Sequence, residues 1–219
     1  MERVFVLRDV RIFYRKTGAM KFVSHLDMNR FMTRLINKAK IPIWFTEGFN
    51  QHAYLNFAVP LSLGFEGEYE ILDLRIIDPD YSNSQLIADL NAASVSGIEF
   101  IKACEPVFKM KEIAFAEFLI SFDNITAEIE EKIKNFFKRE TIITQKKTKK
   151  GGIKDIDIAP LIKKAELQDN KLDLILTAGN ENNLNPTLVL GALFDLEKIE
   201  LYYEVKRTMI YNKETQSFI

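Results

Sequence analysis

The chain has 219 residues, 47% hydrophobic and 28% charged, a composition typical of a folded globular protein rather than a disordered one. Its 30 lysines and arginines nearly balance its 31 aspartates and glutamates, so any binding to nucleic acid or anionic lipid must come from a local patch. A single cysteine, Cys104, excludes an intramolecular disulfide and a zinc or iron–sulfur site held by several cysteines of this chain. These features predict a protein of a reducing, cytoplasmic compartment.

The first residues, MERVFVLRDVRIFY, mix charged and apolar side chains. They lack the apolar core of about 7–15 residues that a signal peptide carries. No segment approaches the roughly 18 apolar residues that a membrane span requires. We therefore expect neither a leader nor a membrane partner.

The first half of the chain alternates patterns typical of strands and helices. Alternating β-branched and aromatic residues predict a strand over 8–16. Ser24 followed by Asp27 has the spacing of a capping box, and apolar residues then recur every three or four positions, which predicts a helix over 24–39. The remaining predictions here are strands over 41–45 and 54–77 (broken at Pro60 and Gly64), a helix over 82–93 and a strand over 97–104.

The second half repeats this order of elements. It contains predicted strands over 115–122, 141–147, 171–179 and 201–212, and predicted helices over 126–140 and 185–196. Residues 155–169 are extra, and we interpret them as a strand and bend between the second and third strands. Two β-α-β-β-α-β units predict an α+β fold of two tandem ferredoxin-like modules with antiparallel sheets, over 1–108 and 109–219.

Helix 24–39 carries a polar stripe beside its apolar one. Asp27, Arg30, Arg34 and Lys38 fall at three- and four-residue spacings and so share one side of the helix. One interpretation is an ion-paired surface facing solvent. The other is an anion site, because two arginines near a helix start can bind phosphate or carboxylate.

Both histidines of the chain lie near this helix in sequence. His25 is in the first helical turn, and His52 ends the loop EGFNQH. Paired, they would be candidate catalytic residues for acid–base chemistry on RNA. A metal site would need a third ligand such as Asp27 or Glu47, and the spacing matches no standard zinc pattern, so we predict no metal.

Residues 146–154, KKTKKGGIK, form the strongest basic patch of the sequence, with Lys146, Lys147, Lys149, Lys150 and Lys154. The patch is either a solvated hairpin tip or an arm that contacts phosphates.

The segment KFVSHLDMNRFMTRLINKAKIPIWFTEGFNQHAYLNFAVPLSLGFEGEYEILDL (21–74) resembles the radical SAM-linked (radical SAM-associated) protein family. KDIDIAPLI (154–162), NPTLVLGALF (185–194) and the pair RT (207–208) resemble the second half of that family. It is an uncharacterised bacterial family, encoded beside or fused to a cobalamin-binding-type radical SAM protein. Gln51 is a departure, since proline is common at that place in the family.

The resemblance implies a partner rather than a reaction. It implies an accessory or substrate-recognition protein that binds no cofactor itself, with SAM and the iron–sulfur cluster on the radical SAM partner and RNA as a candidate substrate. The expected binding surface comprises Ser24, His25, Asp27, Arg30, Arg34, Phe49, Asn50 and His52. Two alternatives remain open: a metal-independent RNA-processing enzyme that uses His25 and His52, and a structural scaffold.

Overall fold

The computed structural model describes residues 7–147, 151–179 and 182–219. Within these residues the fold is mixed α+β, with four α-helices and mostly antiparallel strand pairing. The chain divides into two compact units, one of Met1–Met110 with Ile219 and one of Lys111–Phe218. Neither unit contains, among its described residues, a helix long and apolar enough to cross a lipid bilayer.

The first unit follows the order β-α-β-β-α-β. Its elements are β1 (Arg8–Lys16), α1 (His25–Lys38), β2 (Leu55–Phe57), β3 (Glu66–Ile76), α2 (Asn83–Ala93) and β4 (Ile98–Cys104). The strand order is β4-β1-β3-β2, and neighbouring strands are antiparallel.

One face of this sheet packs against α1 and α2. Alternate residues of a strand point to opposite faces, so the even-numbered positions of β1 and β3 share one face. Their apolar members join the buried side chains of both helices in a single core: Val10, Ile12, Tyr14, Leu72, Leu74 and Ile76 from the strands; Met28, Met32, Leu35, Ile36, Leu86 and Leu90 from the helices. The odd-numbered positions, which include Arg11, Asp73 and Arg75, lie on the opposite face.

The predicted strand over 41–45 was wrong. Only isolated bridges occur there, Ile43 with Ile76 and Phe45 with Ala53. Pro42 has no N–H to donate, and the Tyr54 amide bonds to the Trp44 carbonyl at 3.2 Å, so the chain turns back on itself around 46–52. The regular edge strand is therefore the short β2.

The second unit contains β5 (Phe115–Phe122), α3 (Ala127–Phe137), β6 (Ile143–Lys147), β7 (Ile153–Asp157), β8 (Ile162–Gln168), β9 (Lys171–Thr177), α4 (Pro186–Glu197) and β10 (Tyr203–Tyr211). Its main sheet has the order β10-β5-β9-β8. Strands β6 and β7 form a separate two-stranded ribbon.

The predicted second strand of this unit, 141–147, was misplaced. Most of it forms β6 of the ribbon, and β8 takes its place in the main sheet. A tight turn explains the choice of β8, since Asp169 and Asn170 both adopt positive φ, 50° and 60°, between β8 and β9. That is the backbone of a two-residue hairpin turn, which Asp and Asn tolerate well. The inserted element is the ribbon rather than 155–169.

All four predicted helices are confirmed, with ends within three residues of the predicted ones. Each begins with a side chain that accepts a hydrogen bond from a first-turn amide: Ser24, Ser82, Thr126 and Asn185. Such caps satisfy backbone donors that have no partner within the helix. Helix starts are therefore readable from a few neighbouring residues.

Candidate functional site

The N-terminus of α1 is organised by Ser24 and Asp27. The Ser24 hydroxyl accepts from the Asp27 amide at 3.2 Å and donates to Asp27 Oδ2 at 2.7 Å. The first contact confirms the predicted N-cap, while the Asp27 carboxylate accepts from the Ser24 hydroxyl rather than from the Ser24 amide that a complete capping box uses. The hydrogen bond from Ser24, with a second from Arg30, lowers the pKa of Asp27, so its carboxylate is ionised at neutral pH.

The polar stripe of α1 is mostly exposed. Arg30 contacts Asp27 at 3.1 Å, and these side chains are 61% and 58% exposed, so the pair contributes little to stability. Arg34 is also exposed. Lys38 instead donates to the Ala93 carbonyl at 3.0 Å, which ties the end of α1 to the end of α2.

His25 lies exposed in the first turn of α1 and contacts Phe57 edge-on, with ring centroids 5.3 Å apart. It stands beside a cavity of about 20 Å³, which has room for roughly one water molecule. The lining consists of Tyr14, Lys16, His25, Met28, residues 57–61, Glu70 and Ile71.

Two charged side chains are buried in the wall of this cavity. Lys16 is 3% exposed and Glu70 is 4% exposed. Lys16 Nζ donates to the Val23 carbonyl at 2.8 Å, just before α1. A Cβ added at Gly67 would overlap the carboxylate of Glu70, so glycine makes the room that this side chain occupies. Buried charges are costly unless they are compensated, so Lys16 and Glu70 are a specialised feature of this cavity wall.

The sequence analysis did not select Lys16 or Glu70, although a signal was present. The inward positions of β1 run Val10, Ile12, Tyr14 and then Lys16. A lysine that continues an apolar stripe indicates a buried charge or the end of the core. Applying that rule to β1 would have identified Lys16.

His52 lies in a different local environment from His25. Its Nδ1 lies 3.0 Å from Thr46 Oγ1 and 3.1 Å from the Asn50 carbonyl oxygen, and the Thr46 amide donates to the His52 carbonyl at 2.9 Å. His52 thus closes the loop 46–52, in which Phe49 is fully exposed and Asn50 is exposed.

The structure does not bring the two histidines into contact. Every interaction recorded for His25 or His52 is with another residue. Across the described ranges, no three His, Cys, Asp or Glu side chains lie close enough together to hold a metal ion. The predicted surface residues therefore form two groups: Ser24, His25, Asp27, Arg30 and Arg34 on α1, and Phe49, Asn50 and His52 on the loop.

Three large apolar side chains near the start of α1 face solvent. Phe22, Leu26 and Leu63 are 66%, 61% and 62% exposed. The Gly64 amide donates to the Lys21 carbonyl at 2.8 Å, which holds the turn after Leu63 against the turn that carries Phe22. We call these three side chains the α1 apolar surface.

The basic patch lies on the β6–β7 ribbon. Lys146 and Lys154 are exposed and face each other across the ribbon, an arrangement of like charges that disfavours the pairing. Lys149 and Lys150 fall outside the described residues, as does the side chain of Lys147.

The sequence profile of a family described as "Uncharacterized protein conserved in bacteria (DUF2344)" matches residues 9–186. The match runs from the second residue of β1 through the rest of Met1–Met110 and reaches the start of α4. The chain belongs to this family. DUF2344 therefore covers both the cavity beside His25 and the basic ribbon.

Comparison with solved structures gave distant similarities. A chain in the crystal structure of a Cbf5-Nop10-Gar1 complex aligns with a TM-score of 0.48 and 12% identity, over 92% of this DUF2344 chain and 48% of that chain. The DUF2344 chain thus spans about half of that chain's length. A putative glycine cleavage system transcriptional repressor aligns with a TM-score of 0.25 and 12% identity, over 92% and 99% of the two chains. Neither similarity carries an argument about function. No curated protein matched at a significant level.

Proposed function

We propose that this DUF2344 protein is an accessory or substrate-recognition subunit that works with a radical SAM enzyme in the cytoplasm. The partner would hold SAM and the cysteine-ligated cluster, because this chain has only Cys104. The proposal is supported by the resemblance of residues 21–74 to the radical SAM-linked family. RNA is the proposed substrate class of the pair.

We also propose that each unit is a ferredoxin-like module, so that the domains are 1–108 and 109–219. The order of elements in each unit supports this assignment. In both, the first strand lies between the third and fourth, and the second strand lies at the edge beside the third. This is the antiparallel arrangement expected of a β-α-β-β-α-β unit.

The observation that carries the partner hypothesis is the α1 apolar surface. Large apolar side chains that cluster on a surface mark sites of protein association. Burying a leucine or phenylalanine side chain contributes about 1.5–3 kcal/mol, so three of them are enough to anchor a partner. They lie in the same segment, 21–74, that carries the family resemblance.

A recognition role, rather than catalysis by this chain, is supported by the geometry around His25. The adjoining cavity has room for roughly one water molecule and none for a nucleotide. Lys16 and Glu70, which could supply proton transfer, are buried in its wall.

The test is a pull-down of the tagged full chain from its native cells, with identification of any radical SAM protein that co-purifies. The double variant Phe22→Ser with Leu26→Ser should lower recovery of the partner at least about ten-fold, the effect of losing roughly 1.4 kcal/mol of binding free energy. Tyr202→Ser is the matched control, because Tyr202 is also 66% exposed and lies in the second unit. It should leave recovery unchanged.

Two results would contradict the proposal: no radical SAM protein with the unaltered chain, or equal recovery with the double variant. Ribonuclease treatment before elution separates a direct protein contact from one bridged by RNA. If RNA co-purifies and no radical SAM protein does, cleavage of that RNA by the purified chain becomes the next assay, with His25→Ala and His52→Ala as variants.

A further inference from the structure

A second cavity, of about 350 Å³, lies on the face of the first sheet opposite α1 and α2. Its volume falls within the range of small-molecule sites. It is lined by Asp9, Arg11, Tyr54, Asn56, Asp73, Arg75 and residues 105–110. None of the functions considered above uses this cavity.

One wall of the cavity is a rigid ion pair. Arg11 binds Asp73 through two parallel hydrogen bonds, Nε to Oδ1 at 2.7 Å and Nη2 to Oδ2 at 2.8 Å. Arg11 is 1% exposed and Asp73 is 15% exposed. A bidentate pair held between neighbouring strands fixes the positions of both side chains.

Two other lining side chains, Tyr54 and Arg75, form an aromatic and cationic platform together with Trp44, which lies beside them. The Arg75 guanidinium lies 4.7 Å from the ring centre of Tyr54 and 5.3 Å from that of Trp44. The two rings lie 5.9 Å apart. We call these three residues the Trp44 platform. Asp9 binds Arg75 through Nε at 2.8 Å and thereby orients the guanidinium plane.

Several polar groups of this site have no protein partner among the residues that the structure describes. These are the two terminal amino groups of Arg75, the side-chain amide of Asn56 and the hydroxyl of Tyr54. Together they offer hydrogen-bond donors and acceptors beside the Tyr54 ring and the Arg75 guanidinium plane. A ligand with a planar ring and a polar edge would satisfy them.

The charges of the lining select against a simple anion. Three cationic side chains, Arg11, Arg75 and Lys109, are balanced by three carboxylates, Asp9, Asp73 and Glu105. A phosphate would be repelled by as many lining carboxylates as there are cations to attract it. A neutral ring carries no charge and would not be repelled by those carboxylates.

We propose that this cavity binds a nucleobase. The ring stacks on the two members of the Trp44 platform that line the cavity, Tyr54 and Arg75, and its edge is hydrogen-bonded by Asn56 and the free amino groups of Arg75. Bases stack on aromatic rings and on arginine planes in the recognition of single-stranded RNA. This inference goes beyond the proposed partnership and does not depend on it.

Trp44 makes the proposal directly measurable, because it is the only tryptophan of the chain and lies in the platform. The full chain is titrated with adenosine, guanosine, cytidine and uridine at fixed salt, with ribose and inorganic phosphate as comparison probes. We expect a saturable change in tryptophan emission with at least one nucleoside and none with ribose or phosphate. No saturable change with any nucleoside, or an equal response to phosphate, would overturn the proposal.

The variant Asn56→Leu keeps the size of the side chain and removes its polar edge. It should weaken nucleoside binding about ten-fold while the urea midpoint stays within the range of the control. Asn37→Leu, at an exposed position of α1, is that control and should bind normally. Arg75→Lys, which retains the charge and removes the plane, should also weaken binding. Unchanged affinity in both Asn56→Leu and Arg75→Lys would place the nucleoside elsewhere.

Discussion

Two charged side chains near the start of α1, Lys16 and Glu70, are buried in the first unit and are held there by specific neighbours. Lys16 and Glu70 lie on the helix-packed face of the sheet, where neighbouring strand positions are apolar. Lys16 is held by the Val23 carbonyl, and Glu70 occupies the space over Gly67. The ion pair between the exposed Asp27 and Arg30 contributes less to the stability of the unit than these buried contacts do, because solvent screens the two charges.

The variant Gly67→Ala should destabilise the chain by about 1–3 kcal/mol, since the added methyl group would displace the buried carboxylate of Glu70. Urea unfolding measures the change. Gly191→Ala in α4 is the control: nothing lies within 4 Å of the added atom, and alanine favours a helix. It should be neutral or stabilising. If the clash with Glu70 is the cause, Gly67→Ala should lower the free energy of unfolding by less in the Glu70→Ala variant than in the unaltered chain.

The variant Ser24→Ala should cost about 0.5–2 kcal/mol at neutral pH, because α1 loses its cap. Part of this cost depends on pH. The folded pKa of Asp27 lies below its ordinary value of 3.8, so its stabilising contribution is present above that value and is lost as the pH falls through the folded pKa.

Urea unfolding of Ser24→Ala and of the unaltered chain, at pH 7 and at pH 2, checks this expectation. An NMR titration should also show a higher Asp27 pKa in the variant than in the unaltered chain. Ser82→Ala is the matched control. Ser82 caps α2 as Ser24 caps α1, but the residue three positions later is the neutral Gln85 rather than an aspartate. Its cost should be the same at both pH values. A pH-independent cost for Ser24→Ala would contradict the role assigned to Asp27.

At the scale of elements, the β6–β7 ribbon is the least integrated part of the second unit. Among the described residues its two strands pair only with each other, while Lys146 Nζ reaches the Asn183 carbonyl at 3.4 Å. Ile143 and Ile153 are 51% and 65% exposed. Its base is closed by the Ile158 amide, which donates to the Ile142 carbonyl at 2.9 Å. The main sheet is complete without the ribbon.

Replacement of residues 144–156 by Asn-Gly should therefore leave the second unit folded, with unfolding free energy changed by less than about 1 kcal/mol. Thermal unfolding followed by circular dichroism measures this. Leu172→Ala, in the core of β9, shows that the assay is sensitive, since it should cost about 2–5 kcal/mol. Loss of cooperative unfolding on excision would show that the ribbon supports the main sheet.

At the scale of the whole molecule, net charge and local charge act differently. The net charge of −1 gives no general attraction to nucleic acid. The opposed Lys146 and Lys154 concentrate positive charge on the ribbon. Binding of RNA backbone, if it occurs at the ribbon, is then local and sensitive to salt.

The pair Lys146→Glu with Lys154→Glu should weaken binding of a single-stranded RNA 20-mer. The slope of log K against log salt should become shallower by about 0.7 for each phosphate that the variant no longer neutralises. Lys111→Glu with Lys213→Glu changes the net charge equally at exposed positions elsewhere. Fluorescence anisotropy at several salt concentrations compares the two. Equal weakening in both would mean that overall charge, not the ribbon, governs binding.

The elements that could be predicted are those whose signals are local in sequence. Ser24 with Asp27, and Thr126 with the residues after it, define helix starts within one turn. The alternation in 8–16 and 115–122 gave strands with the observed ends. The error at β8 arose because the Asp169–Asn170 turn was not recognised as a hairpin signal.

The candidate site was only partly predictable. The pairing of Ser24 with Asp27 was found because these residues lie three positions apart. Lys16 was readable from the apolar alternation of β1, whereas Glu70 was missed because its burial depends on pairing between strands that are distant in the chain, Tyr14 with Glu70 and Lys16 with Gly67. The expected proximity of His25 and His52 rested on their closeness in sequence, and the structure records no contact between them.

The sequence by itself determined the helices, most of the strands, the mixed α+β class and family membership, because these depend on caps, side-chain alternation and residue order. Only the tertiary structure decided which strand entered the main sheet, which charges were buried, and how Trp44, Tyr54 and Arg75 came to lie together. The physical reason is that burial and stacking depend on residues distant in the chain, and their positions are set by the packing of the whole unit.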